Sequence, residues 1–231
     1  MEGKKVAELR ATDNYHFVFA GFTTFKDALK IMKDNLHFYR FEEGEKKNIK
    51  EIFYDNEYNM LSDAGIVLSK SMTTQDTFFN IRRLSRLLNK RNKKYTIDRR
   101  CSPTDHPRDY AEHIAAAIND SFSSSLTIDL ENIVKKTQEK ILIENNKTIY
   151  NVICGSGYRA KLVEEHLLFK DIKTGKKVFQ EAVCLSVPSG EYPETAELLK
   201  FIERNISGLV LFKESRFEIA QRLLYSQEEE E

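Results

Sequence analysis

The chain has 231 residues, 41% of them hydrophobic, with 15 Phe and 10 Tyr, so a sizeable core can be built. Lys plus Arg and Asp plus Glu number 36 each, and a formal net charge of zero gives no global argument for a nucleic acid or an anionic membrane as partner. No run approaches about 18 consecutive apolar residues, which excludes a helical membrane span, and the opening MEGKKVAELR lacks the apolar centre of a secretory signal.

Cys101, Cys154 and Cys184 are far apart, odd in number and without a Cys-x-x-Cys pair. They are expected to be reduced thiols of a cytoplasmic protein. Residues 4–10 are expected to form a strand that precedes a period-2 strand over Asn14–Ala20. Thr23 or Thr24 then caps a helix over 24–35, with Phe25, Ala28, Leu29 and Met32 on one face. HFYRFEE and IKEIFYD read as two short aromatic strands joined by a polar turn around Gly44. LSDAG is a turn, GIVLSKSM and DTFFNIRRLS are strands, and a basic run occupies 82–100. Pro103 and Pro107 mark a loop from which Asp105 would cap a helix over 108–119.

DLENIVKKTQEKILIEN fits either a helix running into a strand or a strand alone. KTIYNVICG is a strand, and GSG at 155–157 is a hairpin turn and not a phosphate cradle. YRAKLVEEHLLFKD and KKVFQEAVCLSVP form a hairpin closed by IKTG, with Gly175 supplying the positive φ. A helix over 193–205, a short strand GLVLF and a last helix over 214–225 follow, ahead of an acidic tail at 226–231. One domain over 1–225 is expected. About eight meandering, mostly antiparallel strands with inserted helices favour an α+β fold built on a barrel or curled sheet.

No Walker-type loop, no dinucleotide fingerprint and no Gly-x-Ser-x-Gly elbow occurs. His16, His37, His106, His113 and His166 never fall at zinc-ligand spacing. His106 near Cys101 and Asp105 is read as chance proximity in a polar loop, and His166 as an ordinary strand histidine. The basic run carries few aromatics, so a solvated loop is favoured there over a nucleic-acid contact.

Three segments, in order, resemble the CYTH superfamily, also called triphosphate tunnel metalloenzymes: IFYDNEYNMLSDAGIVLSKSM, FKDIKTGKKVFQEAVCLSV, and ETAELLKFIERN followed by KESRFEIAQRLL. The resemblance implies a closed eight-stranded antiparallel barrel, with inserted and C-terminal helices, whose lumen takes a triphosphate. Glutamates there hold Mg or Mn, and inward Lys and Arg neutralise the phosphates. Alternation along a strand puts i, i+2 and i+4 on one face, so such charges converge.

This chain departs from the pattern. Where the family opens with Glu-x-Glu-x-Lys, one register gives Val6, Glu8 and Arg10, and a second gives Thr12, Asn14 and His16. In place of an Arg-x-Arg pair stand Ser69, Lys70 and Ser71, with the lysine expected to point outward. Arg82 takes the place of the next strand's Lys, and Ser215, Arg216 and Phe217 that of a Ser-Lys-Tyr element. On the late glutamate strand Glu181 remains, with Val183 and Leu185 expected at the other inward positions. The resemblance therefore points to Arg10, Arg82, Arg159, Lys161 and Arg216 for phosphate, and to a weak metal site at Glu8 and Glu181. Arg159 and Lys161 share a strand face, which is either the lumen or solvent.

The expectation is a barrel that binds a phosphate-rich small molecule, a triphosphate or nucleotide, with weak or no hydrolysis. The alternatives are a metal-dependent organic-triphosphate or polyphosphate hydrolase, and a filled barrel serving as a scaffold for RNA or protein.

Overall fold

The computed structural model describes residues 12–21, 23–83, 94–96, 101–122, 129–212, 214 and 216–225. Glu8, Arg10, Ser215, the strand expected over 4–10, most of the basic run and the tail at 226–231 lie outside them.

Nine strands pair in one open order, β5-β4-β3-β2-β6-β7-β8-β1-β9. They are β1 Thr12–Phe19, β2 Tyr39–Asp55, β3 Ile66–Met72, β4 Thr77–Arg83, β5 Lys94–Thr96, β6 Gln138–Cys154, β7 Arg159–Asp171, β8 Lys177–Pro188 and β9 Leu209–Phe212. The sheet is antiparallel: β1 pairs with β8 and β9, β2 with β3, β3 with β4, and β4 with β5 in that sense. The order ends at β5 and β9, so in place of the expected closed barrel of eight strands the described residues form an open sheet of nine. The fold class is α+β, as read from the meander of strands.

Contacts group into two compact units, one of residues 1–46, 147–166 and 181–212, the other of 47–146, 167–180 and 213–231.

In the first unit, α1 (Phe25–Asn35) and α5 (Pro193–Asn205) cover one face of the sheet. Phe25, Ala28 and Met32 of α1 and Leu198 and Ile202 of α5 bury against Phe17, Val152, Leu162, Val183, Leu185 and Val187. Thr24 starts α1 through a capping box with Asp27, which satisfies two of the otherwise orphaned amides of the first turn. Gly208 has φ +82, and a Cβ there would stand 2.6 Å from the carbonyl oxygen of Ala20. Ala20 N donates in turn to the Gly208 carbonyl at 2.6 Å, fixing the entry to β9.

In the second unit, α3 (Ala111–Phe122) and α4 (Leu130–Lys135) cover one face. Ile114, Ile118, Leu130, Ile133 and Val134 pack with Tyr54, Ile66, Leu68, Phe79 and Ile81. The other face meets α6 (Arg216–Tyr225), whose Phe217 stacks on Phe53 with ring centroids 5.0 Å apart. Tyr225 Oη donates to Asp171 Oδ2 and Lys176 Nζ to the Leu224 carbonyl, which fastens the end of α6.

Two local expectations are corrected. HFYRFEE and IKEIFYD are one continuous strand, β2, with no turn between them. Gly44 is not at positive φ; a Cβ there would lie 3.2 Å from the Ile149 carbonyl oxygen and 3.2 Å from Asn151 Nδ2, so the glycine admits a close backbone approach. The helix expected over 108–119 is a 3-10 turn at Pro107–Tyr110 running into α3. Its cap is His106, whose Nδ1 accepts from Arg108 N, while Asp105 Oδ2 accepts from Ser102 N and Tyr110 Oη. The ambiguous segment after Ser125 resolves as α4 followed by β6. Gly175 has φ 74 and closes the β7–β8 turn, as its neighbours Thr174 and Lys176 led one to expect.

Candidate functional site

Each unit leaves one strand face without its pair of covering helices, and the charged residues concentrate there. In the second unit that face is built from three neighbouring strands. Alternation places Ile66, Leu68 and Lys70 of β3 toward α3 and α4, and Val67, Ser69 and Ser71 on the opposite side. Pairing of Glu51 with Ser71, Phe53 with Ser69, and Ser69 with Asn80 sets Glu51, Ser69, Ser71, Asn80 and Arg82 side by side.

Glu51 is the hub of this group and is 5% exposed. Its Oε1 accepts from Ser69 Oγ at 2.8 Å, from Ser71 Oγ at 3.3 Å and from Arg82 Nη2. Asn80 Nδ2 donates to Ser71 Oγ at 2.8 Å. The serine oxygen therefore accepts from the amide and turns its own proton toward the carboxylate. Arg82 is half-buried, and its Nε is buried without a hydrogen-bond partner.

Lys70 lies on the other side of β3 from Ser69 and Ser71 and is 3% exposed. Its Nζ donates to the carbonyls of Pro103 at 2.7 Å and Asp105 at 2.8 Å, and it stands 6.0 Å from the centre of the Tyr54 ring. The lysine thus points away from the face that carries Glu51, Ser69 and Ser71, and holds the loop before the 3-10 turn. Burial, with the Arg108 charge beside it, holds the His106 imidazole below its ordinary pKa, and burial pushes the Cys101 thiol up. Neither pattern is that of an activated nucleophile and its base.

In the first unit, β1 turns Tyr15, Phe17 and Phe19 into the helix-covered core, so Asn14 and His16 stand on the helix-free face. Cys184 pairs across from His16, and its Sγ lies 3.9 Å from Asn14 Oδ1. Glu165 is 1% exposed and forms an ion pair with Lys147 at 3.0 Å; His16 Nδ1 is 3.9 Å from the same carboxylate. Arg159 and Lys161 share the parity of this strand face, six and four residues before Glu165, and are exposed.

Val183 and Leu185 do not take the inward, lumen-lining positions of β8 expected for them. They pack in the core under α1 and α5, and Ala182, Cys184 and Ser186 occupy the helix-free face. Glu181 shares the parity of Val183, stands at the exposed end of that row, and lies 3.7 Å from His166 Nδ1. Arg216 opens α6 beside Phe217 and is half-buried. Glu51 and Asn80 escaped the sequence reading, as did Lys147 and Glu165, while Ser69 and Ser71 entered it only as replacements for an Arg-x-Arg pair. The available signal was Glu51 two residues before Phe53 in a strand of otherwise aromatic and aliphatic character.

A magnesium or manganese site needs several oxygens from carboxylates, carbonyls and water around one point. Among the described residues no group of three or more His, Cys, Asp or Glu is placed to hold a metal ion. The buried carboxylates Glu51 and Glu165 each face a cation, and Glu181 faces an imidazole. Among the described residues these three carboxylates do not fit a carboxylate-held divalent cation.

The chain has a CYTH-like α+β fold, an open antiparallel sheet with helices. No protein-family profile matches the sequence, and no curated protein matches it. Among solved structures, HpAC1 from Hippeastrum, studied as an adenylyl cyclase and found to have a dominant triphosphatase activity, matches with a TM-score of 0.53 and 10% sequence identity over 90% of this chain and 94% of its own. A Bacillus halodurans protein described as an adenylate cyclase matches at 10% identity over 91% of this chain and 96% of its own, with a TM-score of 0.48. The likeness to HpAC1 is one of fold. No helix among the described residues is long and apolar enough to cross a membrane.

Proposed function

We propose that the chain binds a phosphate-rich small molecule, a triphosphate or nucleotide, and hydrolyses it weakly or not at all. The observation that carries this reading is the allocation of charge on the strand faces turned away from α3 and α4 in the second unit and from α1 and α5 in the first. Glu51 and Glu165 are committed to Arg82 and Lys147, whereas Arg159 and Lys161 are exposed and Arg82 keeps an unpartnered Nε donor. Cations without a free cluster of carboxylates suit an anion better than they suit a metal-assisted attack by water. Arg82 supplies a planar fork matched to phosphate oxygens, and Arg159 and Lys161 supply charge along one strand. Arg216 of the second unit and, outside the described residues, Arg10 are also proposed to meet phosphate. Mg or Mn, if held by Glu8 and Glu181, would bind weakly.

The reading is supported by the fold and by a neighbour of that fold with triphosphatase activity. The test is a thermal-shift screen with tripolyphosphate and nucleoside triphosphates, repeated on Arg82→Ala and on the Arg159→Ala, Lys161→Ala pair. Stabilisation of the parent chain that falls away in both variants is the expected result. Phosphate release in the presence of Mg or Mn is measured in parallel. Turnover at several per second would favour the hydrolase, and the absence of any shift up to millimolar ligand would favour the scaffold.

A further inference from the structure

We propose that Glu51 is an internal competitor for the ligand: its carboxylate occupies Arg82 in the unliganded chain, and a terminal phosphate dianion binds by displacing it. This inference rests on the phosphate-binding reading and names the residue that sets its selectivity.

The geometry supplies each part of the exchange. Arg82 meets Glu51 through Nη2 alone, while its Nε is buried and donates to nothing. The edge of a guanidinium that presents Nε and one Nη is the edge that takes two parallel bonds from a carboxylate or phosphate. In the unliganded chain that edge is only half used. A phosphate placed on it would gain both bonds, which the carboxylate does not.

The displaced carboxylate is not left bare. Ser69 and Ser71 both donate to Oε1, and Asn80 orients the Ser71 hydroxyl toward it. A buried charge stripped of every partner would cost too much for the exchange to occur. Two hydroxyl donors lower that cost and hold Glu51 in place while Arg82 changes partner.

The competition selects for charge. A terminal phosphate carries about −1.5 to −2 at neutral pH, against −1 for the carboxylate it replaces. A phosphodiester carries −1 and gains no such advantage. The site therefore takes ligands that end in a free phosphate and refuses diesters and simple carboxylates.

The experiment titrates tripolyphosphate and dimethyl phosphate into the parent chain, Glu51→Gln, Glu51→Asp and Glu51→Gln combined with Arg82→Ala, by calorimetry. Glu51→Gln retains an acceptor for the serine hydroxyls and for Arg82 but loses the charge. It is expected to bind tripolyphosphate about tenfold more tightly than the parent chain and to gain measurable affinity for dimethyl phosphate. Adding Arg82→Ala should abolish both gains. Glu51→Asp withdraws the carboxylate from Arg82 and should bind tripolyphosphate more tightly too, which keeps the test intact if the glutamine variant does not fold. If the parent chain binds tripolyphosphate and folded Glu51→Gln or Glu51→Asp binds it equally or less tightly, the competition is overturned and the phosphate reading stands. If neither the parent chain nor any Glu51 variant binds, both fall.

Discussion

Lys147 and Glu165 form an ion pair at 3.0 Å in which the carboxylate is 1% exposed. A charge withdrawn so far from water needs its partner, because removing one side of a buried pair leaves the other uncompensated. Lys147→Ala is expected to lower the unfolding free energy by about 3 kcal/mol. Lys147→Met combined with Glu165→Leu should cost clearly less than the single change. Urea titrations of the three proteins measure both, and equal losses would show that the pair is not electrostatically coupled.

Gly208 combines φ +82 with an Ala20 carbonyl oxygen where a Cβ would need to be. Gly208→Ala should therefore cost at least about 2 kcal/mol, from a left-handed backbone and a contact that backbone alone must relieve. Gly155→Ala, with nothing within 4 Å of its Cβ position and no positive φ, is the control and should be near neutral. Thermal melts of the two variants decide.

Phe217 stacks on Phe53 at 5.0 Å and is buried. Phe217→Ala removes the stacked ring and should destabilise by about 3–5 kcal/mol. Phe217→Leu, which keeps most of the volume, should lose less than half of that. Chemical denaturation of both gives the comparison, and a small loss for alanine would mean that α6 is not anchored through this ring.

Asp171 gives a pH dependence with a definite sign. Burial alone would raise its pKa, but the amide of Thr174 and the hydroxyl of Tyr225 favour the carboxylate, and the balance lies below the usual Asp value. A depressed folded-state pKa contributes stability that is fully present above the unfolded value near 3.9 and is lost as pH falls through the folded value. Asp171→Asn should thus be less stable than the parent chain at pH 7, with the gap closing as pH falls below the unfolded value and through the lower folded one. Melting curves across that range test it; a gap independent of pH would assign the loss to geometry and not to charge.

The order of elements was legible because its signals are local. Thr24 with Asp27 marks the start of α1, the Gly175 turn marks the β7–β8 hairpin, and the period of TAELLKFIERNI marks α5. The misreadings arose where a residue has two local meanings. Gly44 in a polar run signals a turn as readily as a close strand approach, and only the Ile149 carbonyl beside it distinguishes them. Face assignment on β8 failed because the row Glu181, Val183, Leu185 and the row Ala182, Cys184, Ser186 can each be the buried one until α1 and α5 are seen over the first. Glu51 was passed over because its meaning depends on Ser69, Ser71 and Arg82, which are distant in the chain and meet it only through strand pairing. The CYTH resemblance led to the fold, while Glu8 and Arg10 lie outside the described residues and Glu181 stands beside a histidine.

The enclosure of Lys70 by two backbone carbonyls makes it a chemical clock. An amine sealed at 3% exposure and bonded to Pro103 and Asp105 cannot meet an acylating reagent while the loop stays in place. Its labelling must wait for the segment to open, so the rate at which mass spectrometry finds Lys70 modified reports that opening directly. Exposed lysines such as Lys161 react at once and calibrate the reagent. The chain thus carries its own gauge of local unfolding, readable without dye, tag or substitution.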